Sequence, residues 1–223
     1  MSLSKTIFEL TELAEPFSLF VGGPVFVAVG GFCIESSPYE QERAIVQKAV
    51  ASRQIEFYSG RHYAREALCH AGGLPEMILR AEKGNPIWPK GFSGSISHDQ
   101  QRVIAVVVHE ASVKGIGVDL IFDARSVEPQ LQSLIACETE LQYLTQAFPH
   151  IPPLALAFGI KESAVKAVSP NIDHYLDLLD IHLGLDGCDV LASLPKLGLI
   201  LRSRVFQLDR GFVTVSVLHS NVQ

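Results

Sequence analysis

The chain has 223 residues, of which 48% are hydrophobic and 19% charged; this composition belongs to a folded globular protein and excludes an intrinsically disordered one. Eighteen Lys and Arg against 24 Asp and Glu give a formal charge of −6, which argues against a broad nucleic-acid-binding surface but leaves room for a local basic pocket that takes a phosphorylated ligand. The four cysteines, Cys33, Cys69, Cys137 and Cys188, show no C-x-x-C spacing and read as reduced core thiols rather than zinc ligands, as in a cytoplasmic protein.

Residues 1–20 are weakly patterned and read as an edge segment. Phe17 to Ile34 is 18 residues without a charge, near the length of a membrane span. Gly22-Gly23-Pro24 and Gly30-Gly31 interrupt it, and Glu9, Glu12 and Glu15 precede it. Two short strands around a Gly-Gly-Pro turn fit better than a membrane segment, with 25–29 the clearer strand. A helix is expected from Ser37, with Pro38 in its first turn and Glu40 and Glu42 at the positive end of its dipole. A second helix is expected over 52–69, broken near Ser59-Gly60 if anywhere, and ended by Gly72-Gly73. Arg61 and Arg65 are four apart and share a face of it. With no acid evident beside them, they are either an ordinary wet helix face or a pair for a phosphate.

A short strand is expected within 74–79, and Lys83-Gly-Asn-Pro86 is a turn. Gly91 and Gly94 with the small residues Ser93, Ser95 and Ser97 read as a Gly/Ser-rich turn that allows close backbone approach to a ligand, without the nucleotide P-loop pattern. Strands at 103–108 and 116–121 follow, with a boundary between two halves near 112–115. The two halves are placed at 1–113 and 114–223, and strands and helices in each make the class α+β. Helices are expected over 127–136, 139–148 and 154–168, the last ended by Ser169-Pro170. Strands at 178–183, 188–194 (weak), 199–207 and 212–218 then form an antiparallel tail packed on the 154–168 helix.

The residue most in need of explanation is Asp119, inside the apolar run GIGVDLI, because a buried carboxylate is costly without a cation or strong hydrogen bonds. Asp119 and Glu162 together are the kind of oxygen pair that holds Mg²⁺ with waters and substrate phosphates; the plainer alternative is that each is a solvated residue at an element's end. Lys166 lies four residues after Glu162, so a simple helix ion pair is equally open. His98 could be a core histidine or a base. No H-x-x-x-H zinc spacing and no G-x-S-x-G nucleophile elbow is present.

Several stretches, in order, carry a resemblance. GSISH at 94–98, GIGVDL at 115–120 and KESAVKA at 161–167 are similar to the motifs of the 4'-phosphopantetheinyl transferases, in particular the surfactin-type, enterobactin synthase component D-like branch. Gly60 to Arg65 resembles that family's arginine helix, Gly84 to Pro89 its proline-tryptophan turn, and Thr139 to Leu144 its carrier-contacting helix start. The likeness runs from about residue 56 to 182. It implies an α+β fold of two similar halves related by pseudo-twofold symmetry. It also implies transfer of the phosphopantetheine arm of coenzyme A to a serine of an apo acyl or peptidyl carrier protein, in a cytoplasmic monomer. By resemblance, Asp119 and Glu162 are the metal ligands for Mg²⁺, with Mn²⁺ as a substitute, and Glu162 is also the base. Lys166 neutralises the transferred phosphate. Arg61, Arg65, Asn85, Ser97 and His98 line the coenzyme, while Glu140 and Leu144 lie at the carrier-binding edge. The chain departs from the family's frequent D-x-E by carrying Ile121, which leaves two protein carboxylates for the metal. The alternative reading is a non-catalytic relative that keeps the pocket and only binds.

Overall fold

The structure, a computed structural model, describes residues 7–32, 34–99 and 102–219. In chain order its elements are β1 (Ile7–Phe8), α1 (Ala14–Val21), β2 (Phe26–Gly30), α2 (Glu40–Val46), α3 (Ala51–His70), β3 (Phe92–Asp99), β4 (Arg102–His109), β5 (Gly115–Ile121), α4 (Gln132–Ile135), α5 (Glu138–Ala147), α6 (Pro153–Val168), β6 (His182–Asp186), β7 (Asp189–Leu194), β8 (Leu199–Leu208) and β9 (Phe212–Leu218). Short 3-10 turns fill several of the connections.

The first sheet runs β2-β4-β3, all antiparallel. Its middle strand explains the unbroken apolar run at 103–108, since both of its faces are covered. Val103, Ala105 and Val107 pack with Ala64, Ala67 and Leu68 of α3. Ile104, Val106 and Val108 pack on the opposite side with Leu13, Phe17 and Phe20. α3 is continuous through Ser59-Gly60. Gly60 is there for packing rather than as a break, because a Cβ on it would lie 3.2 Å from Ile96. Gly72, at φ +84°, lies just past the helix end.

The second sheet runs β5-β9-β8-β7-β6, with β1 added in parallel to β8. Leu156, Ile160, Ala164 and Ala167 of α6 are fully buried in the core beneath it, so the expected tail-on-helix packing is present. The approach of α6 to β5 is unusually close. A Cβ on Gly117 would stand 1.8 Å from the Ser163 carbonyl oxygen, and one on Gly115 would stand 2.1 Å from that of Ala167. Any side chain at either position would push the helix away.

Each half therefore lays one long helix across an antiparallel sheet, which is consistent with the expected α+β pseudo-twofold arrangement. The link at 110–114 separates the two sheets. The amino-terminal elements nevertheless pack across that division: β1 joins the second sheet, and Phe17 of α1 stacks at 4.8 Å on Phe206 of β8.

Several local expectations are corrected: the strand expected at 178–183 is a 3-10 turn at Leu178–Asp180 followed by β6, and the helix expected at 127–136 is a 3-10 turn at Pro129–Leu131 running into the short α4. The first of the two strands expected in 17–34 is the end of helix α1. Leu13, Phe17, Phe20 and Val21 have the i, i+4, i+7, i+8 spacing of one helix face, and Gly22 (φ +79°) closes it. The stretch 74–79 is not a strand; the peptide groups of Ile78 are held by side chains, its N–H by Glu42 and its carbonyl by Arg61. The Gly/Ser-rich stretch is strand β3 rather than a turn. Of the cysteines, Cys69, Cys137 and Cys188 are free but exposed instead of in the core, while Cys33 lies outside the described residues. Among the described residues, no helix is long and apolar enough to cross a membrane.

Gly117→Ala should lower stability by about 1–3 kcal/mol, toward the upper end because the clash is with backbone rather than with a flexible side chain. Urea unfolding reads this directly, and an unchanged midpoint would show that α6 is free to move off β5.

Candidate active site

The site straddles the line where the two sheets meet. β5 pairs with β9 along one edge. Along the other, its N–H groups donate to side chains of β3: Val118 to Ser95 Oγ at 3.0 Å, Leu120 to Ser97 Oγ at 3.1 Å, and Phe122 to Asp99 Oδ2. Both strands advance by two at each rung, so alternate β3 residues serve alternate β5 amides. Short hydroxyls at 95 and 97 thus act as structural acceptors, a use that the sequence reading of close ligand approach did not include.

Beside this seam lies a cleft of about 580 Å³ lined by residues of α3, β3, β5 and α6. Asp119, Glu162, Lys166, Ser97, His98 and Arg61 all line it. Lys166 reaches back across the glycine face of β5 and donates to Asp119 Oδ1 at 2.6 Å, and to Ser97 Oγ and the Val118 carbonyl at 3.2 Å. It therefore pairs with Asp119 and not, as the i, i+4 spacing allowed, with Glu162. Ser97 donates to Asp119 Oδ1 at 2.9 Å, which leaves Oδ2 without a hydrogen bond among the described residues.

Glu162 has no hydrogen-bond partner among the described residues. Burial raises its pKa above the usual carboxylate value; Asp119 adds to the rise and Lys166 opposes it. His98 is pushed below its ordinary value by burial first, with Glu56 opposing and Arg53 and Lys166 reinforcing. The Arg53 guanidinium approaches His98 Nε2 at 3.3 Å, and since arginine only donates, Nε2 is the acceptor of a neutral ring. Arg61 is lowered to about 10, again by burial first.

Two arginines on one helix face have different tasks. Arg61 lines the cleft while its Nε donates to the Ile78 carbonyl at 2.7 Å and its guanidinium lies 4.5 Å over the Phe57 ring. Arg65 does not line the cleft. Its Nη1 donates to both oxygens of Glu42 at 2.7 and 2.9 Å, and Glu42 is fully buried. Glu42 is the acid that was not evident beside the two arginines, drawn from α2, where the sequence placed it at the positive end of the helix dipole. Removing one partner of such a pair strands a buried charge.

The remaining expected positions do not line the cleft. Asn85 does not line the cleft, although its neighbours Gly84 and Pro86 do; its Oδ1 is buried and has no hydrogen-bond partner among the described residues. Glu140 is buried and accepts from Lys161 Nζ at 2.9 Å, Cys137 N at 3.0 Å and Leu183 N at 2.8 Å. Leu144 is buried in the second core. Neither presents its side chain to the rim, so these two hold α5 in place rather than face outward. The sequence reading missed Arg53, Glu56, Arg80 and Asp99, which also line the cleft. Arg53, which falls one turn ahead of Phe57 and two ahead of Arg61 on α3, was legible by helical spacing.

A family model described as the 4'-phosphopantetheinyl transferase N-terminal domain matches residues 41–108, which take in α3, β3 and most of β4. The chain is 33% identical over 143 residues to the 4'-phosphopantetheinyl transferase Npt of Nocardia iowensis, covering 64% of each protein. It is 32% identical over 154 residues to the 4'-phosphopantetheinyl transferase PptT of Mycobacterium tuberculosis, covering 66% of this chain and 65% of that one. Against the enterobactin synthase component D of Shigella flexneri, identity is 32% over 144 residues, covering 64% of this chain and 68% of that protein. The chain belongs to the 4'-phosphopantetheinyl transferase superfamily. It spans slightly less than two thirds of the length of the first of these relatives.

Because the folded pKa of Glu162 lies above its unfolded value, its ionisation is a cost in the folded state that appears as pH rises through the folded pKa. Glu162→Gln should therefore be at least as stable as the parent at pH 7.5, with the gap closing as pH falls toward 4. Thermal melts across that range test it, and a variant less stable at pH 7.5 than at pH 4, relative to the parent, refutes it.

Proposed function

We propose that the protein transfers the 4'-phosphopantetheine moiety of coenzyme A to a serine hydroxyl of an apo acyl or peptidyl carrier protein, releasing adenosine 3',5'-bisphosphate. The single observation that carries this reading is the convergence of Asp119, Glu162 and Lys166 in one cleft with Ser97, His98 and Arg61. Membership of the superfamily supports the same chemistry.

A divalent cation fits the donor set. Asp119 and Glu162 line the same cleft, and among the described residues neither Asp119 Oδ2 nor the Glu162 carboxylate has a hydrogen-bond partner. These are the two residues that would hold Mg²⁺, with the remaining positions taken by water and coenzyme phosphates. Among the described residues no group of three His, Cys, Asp or Glu side chains gathers at a metal distance, and Ile121 stands where relatives often carry a further acid. When bound, Mg²⁺ supplies charge neutralisation on the pyrophosphate.

The protein's own residues provide the rest. Lys166, held by Asp119, Ser97 and the Val118 carbonyl, places positive charge beside the phosphate being transferred. Arg61 and Arg80 supply cations on the α3 side, and Arg80 makes no side-chain hydrogen bond among the described residues. The carrier serine oxygen forms a bond to the phosphorus that bears the pantetheine arm, the bond to the bridging oxygen breaks, and adenosine 3',5'-bisphosphate leaves with that oxygen. Glu162, directly or through one water, accepts the serine proton. The same reading takes the protein to act as a monomer in the cytoplasm.

With coenzyme A, Mg²⁺ and an apo carrier, mass spectrometry should show the carrier gaining one phosphopantetheine. Glu162→Gln should slow this by about 10²–10⁴-fold while the fold is kept; near-parent turnover overturns the base assignment. Arg80→Ala should weaken coenzyme A binding about tenfold or more by calorimetry, as expected for losing a charge-assisted phosphate contact. Unchanged affinity removes Arg80 from the phosphate site.

A further inference from the structure

Ser97 is one of the residues expected by resemblance to touch the coenzyme, yet its hydroxyl has no capacity left. A serine hydroxyl carries one hydrogen and two lone pairs. Here the hydrogen goes to Asp119 Oδ1, and the oxygen accepts from Leu120 N and from Lys166 Nζ. All three bonds are to protein, and all three partners belong to the elements that meet at the seam, β5 and α6.

We infer that Ser97 is a positioning residue: its hydroxyl fixes the Asp119 carboxylate by occupying Oδ1, so that Oδ2 is the oxygen offered to a cation. The backbone bond from Leu120 locks the oxygen of Ser97 in register with β5, one residue beyond the carboxylate that it holds. The side chain is thereby aimed by the strand ladder rather than by a ligand. This inference rests on the proposed metal role of Asp119.

The ladder supplies its own control. Ser95 accepts from Val118 N just as Ser97 accepts from Leu120 N, but no hydrogen bond joins it to Asp119 or Lys166 among the described residues. Ser95→Ala and Ser97→Ala each strip one β5 amide of its acceptor, so the loss at the strand edge is common to both, and only Ser97→Ala also removes the bonds to Asp119 and Lys166.

The experiment measures Mn²⁺ binding by electron paramagnetic resonance with coenzyme A present, and coenzyme A binding by calorimetry without metal. Ser97→Ala is expected to weaken Mn²⁺ binding by about 10–100-fold, the usual effect of losing the group that orients a metal ligand. Its metal-free coenzyme affinity should stay within about threefold of the parent, and Ser97→Thr, which keeps the hydroxyl, should recover most of the loss. Ser95→Ala should bind Mn²⁺ like the parent. Equal losses in the two alanine variants would reduce Ser97 to a seam residue, and a metal-free coenzyme affinity lowered tenfold with Mn²⁺ binding intact would make it a direct ligand; either overturns the inference. Should Ser97→Ala not fold, Ser97→Cys, whose thiol is a poor donor, is expected to show the same Mn²⁺ loss, and parent-like binding in it counts against the inference. A parent protein that takes up no Mn²⁺ would instead sink the metal reading itself, which separates the two failures.

Discussion

The structure depends on how the free edge of β5 is satisfied. A buried strand edge presents a row of amide donors, and each one left unpaired costs roughly 1–3 kcal/mol. Here the donors of Val118, Leu120 and Phe122 find acceptors on Ser95, Ser97 and Asp99 of β3, so two separate sheets are joined through side chains rather than by a continuous ladder. That choice fixes the register between the halves, and the cleft opens beside the same joint. A strand pairing directly with β5 would have closed the space in which Asp119 now faces the cleft and α6.

The opposite requirement, close approach, is met by glycine. Gly115 and Gly117 let the backbone of α6 rest on β5, and this brings Lys166 within 2.6 Å of Asp119. With Val118 and Leu120 pointing into the other core, the strand is buried on both faces yet keeps one carboxylate at the cleft. The motif GIGVDL is thus a packing device and a site device at once: the small residues set the distance and the acid uses it.

Charge in the cleft is balanced unevenly. Asp119 has Lys166 and Ser97, whereas Glu162 has burial and a like-charged neighbour, which raises its pKa. On the α3 side, Arg65 is neutralised by Glu42 in the interior, so its charge serves the fold, while Arg61 and Arg80 remain at the cleft. Ile121, where relatives often carry an acid, is buried and lies near Gly159 of α6. The cleft therefore has fewer anions near Asp119 than a D-x-E strand would give, and a lysine already compensates one of them.

The sequence by itself determined the long elements and put forward six residues that line the cleft, Arg61, Ser97, His98, Asp119, Glu162 and Lys166. Strands at 103–108, 116–121, 199–207 and 212–218 and the helix at 154–168 follow from local periodicity, because their apolar residues repeat at the spacing of the surface they cover. Asp119 stood out because a carboxylate in an apolar strand must have a partner. What only the tertiary structure decided was which partner each polar group takes. Arg65 with Glu42, Glu140 with Lys161 and Lys166 with Asp119 join residues 23, 21 and 47 positions apart, and no local pattern encodes such pairings. The same holds for α1, whose helical spacing was legible but was hidden by a run apolar enough to suit a strand, and for Ser97, whose role depends on a neighbouring strand 22 residues away. Hydrogen bonds across a fold are set by geometry that appears only when the strands meet.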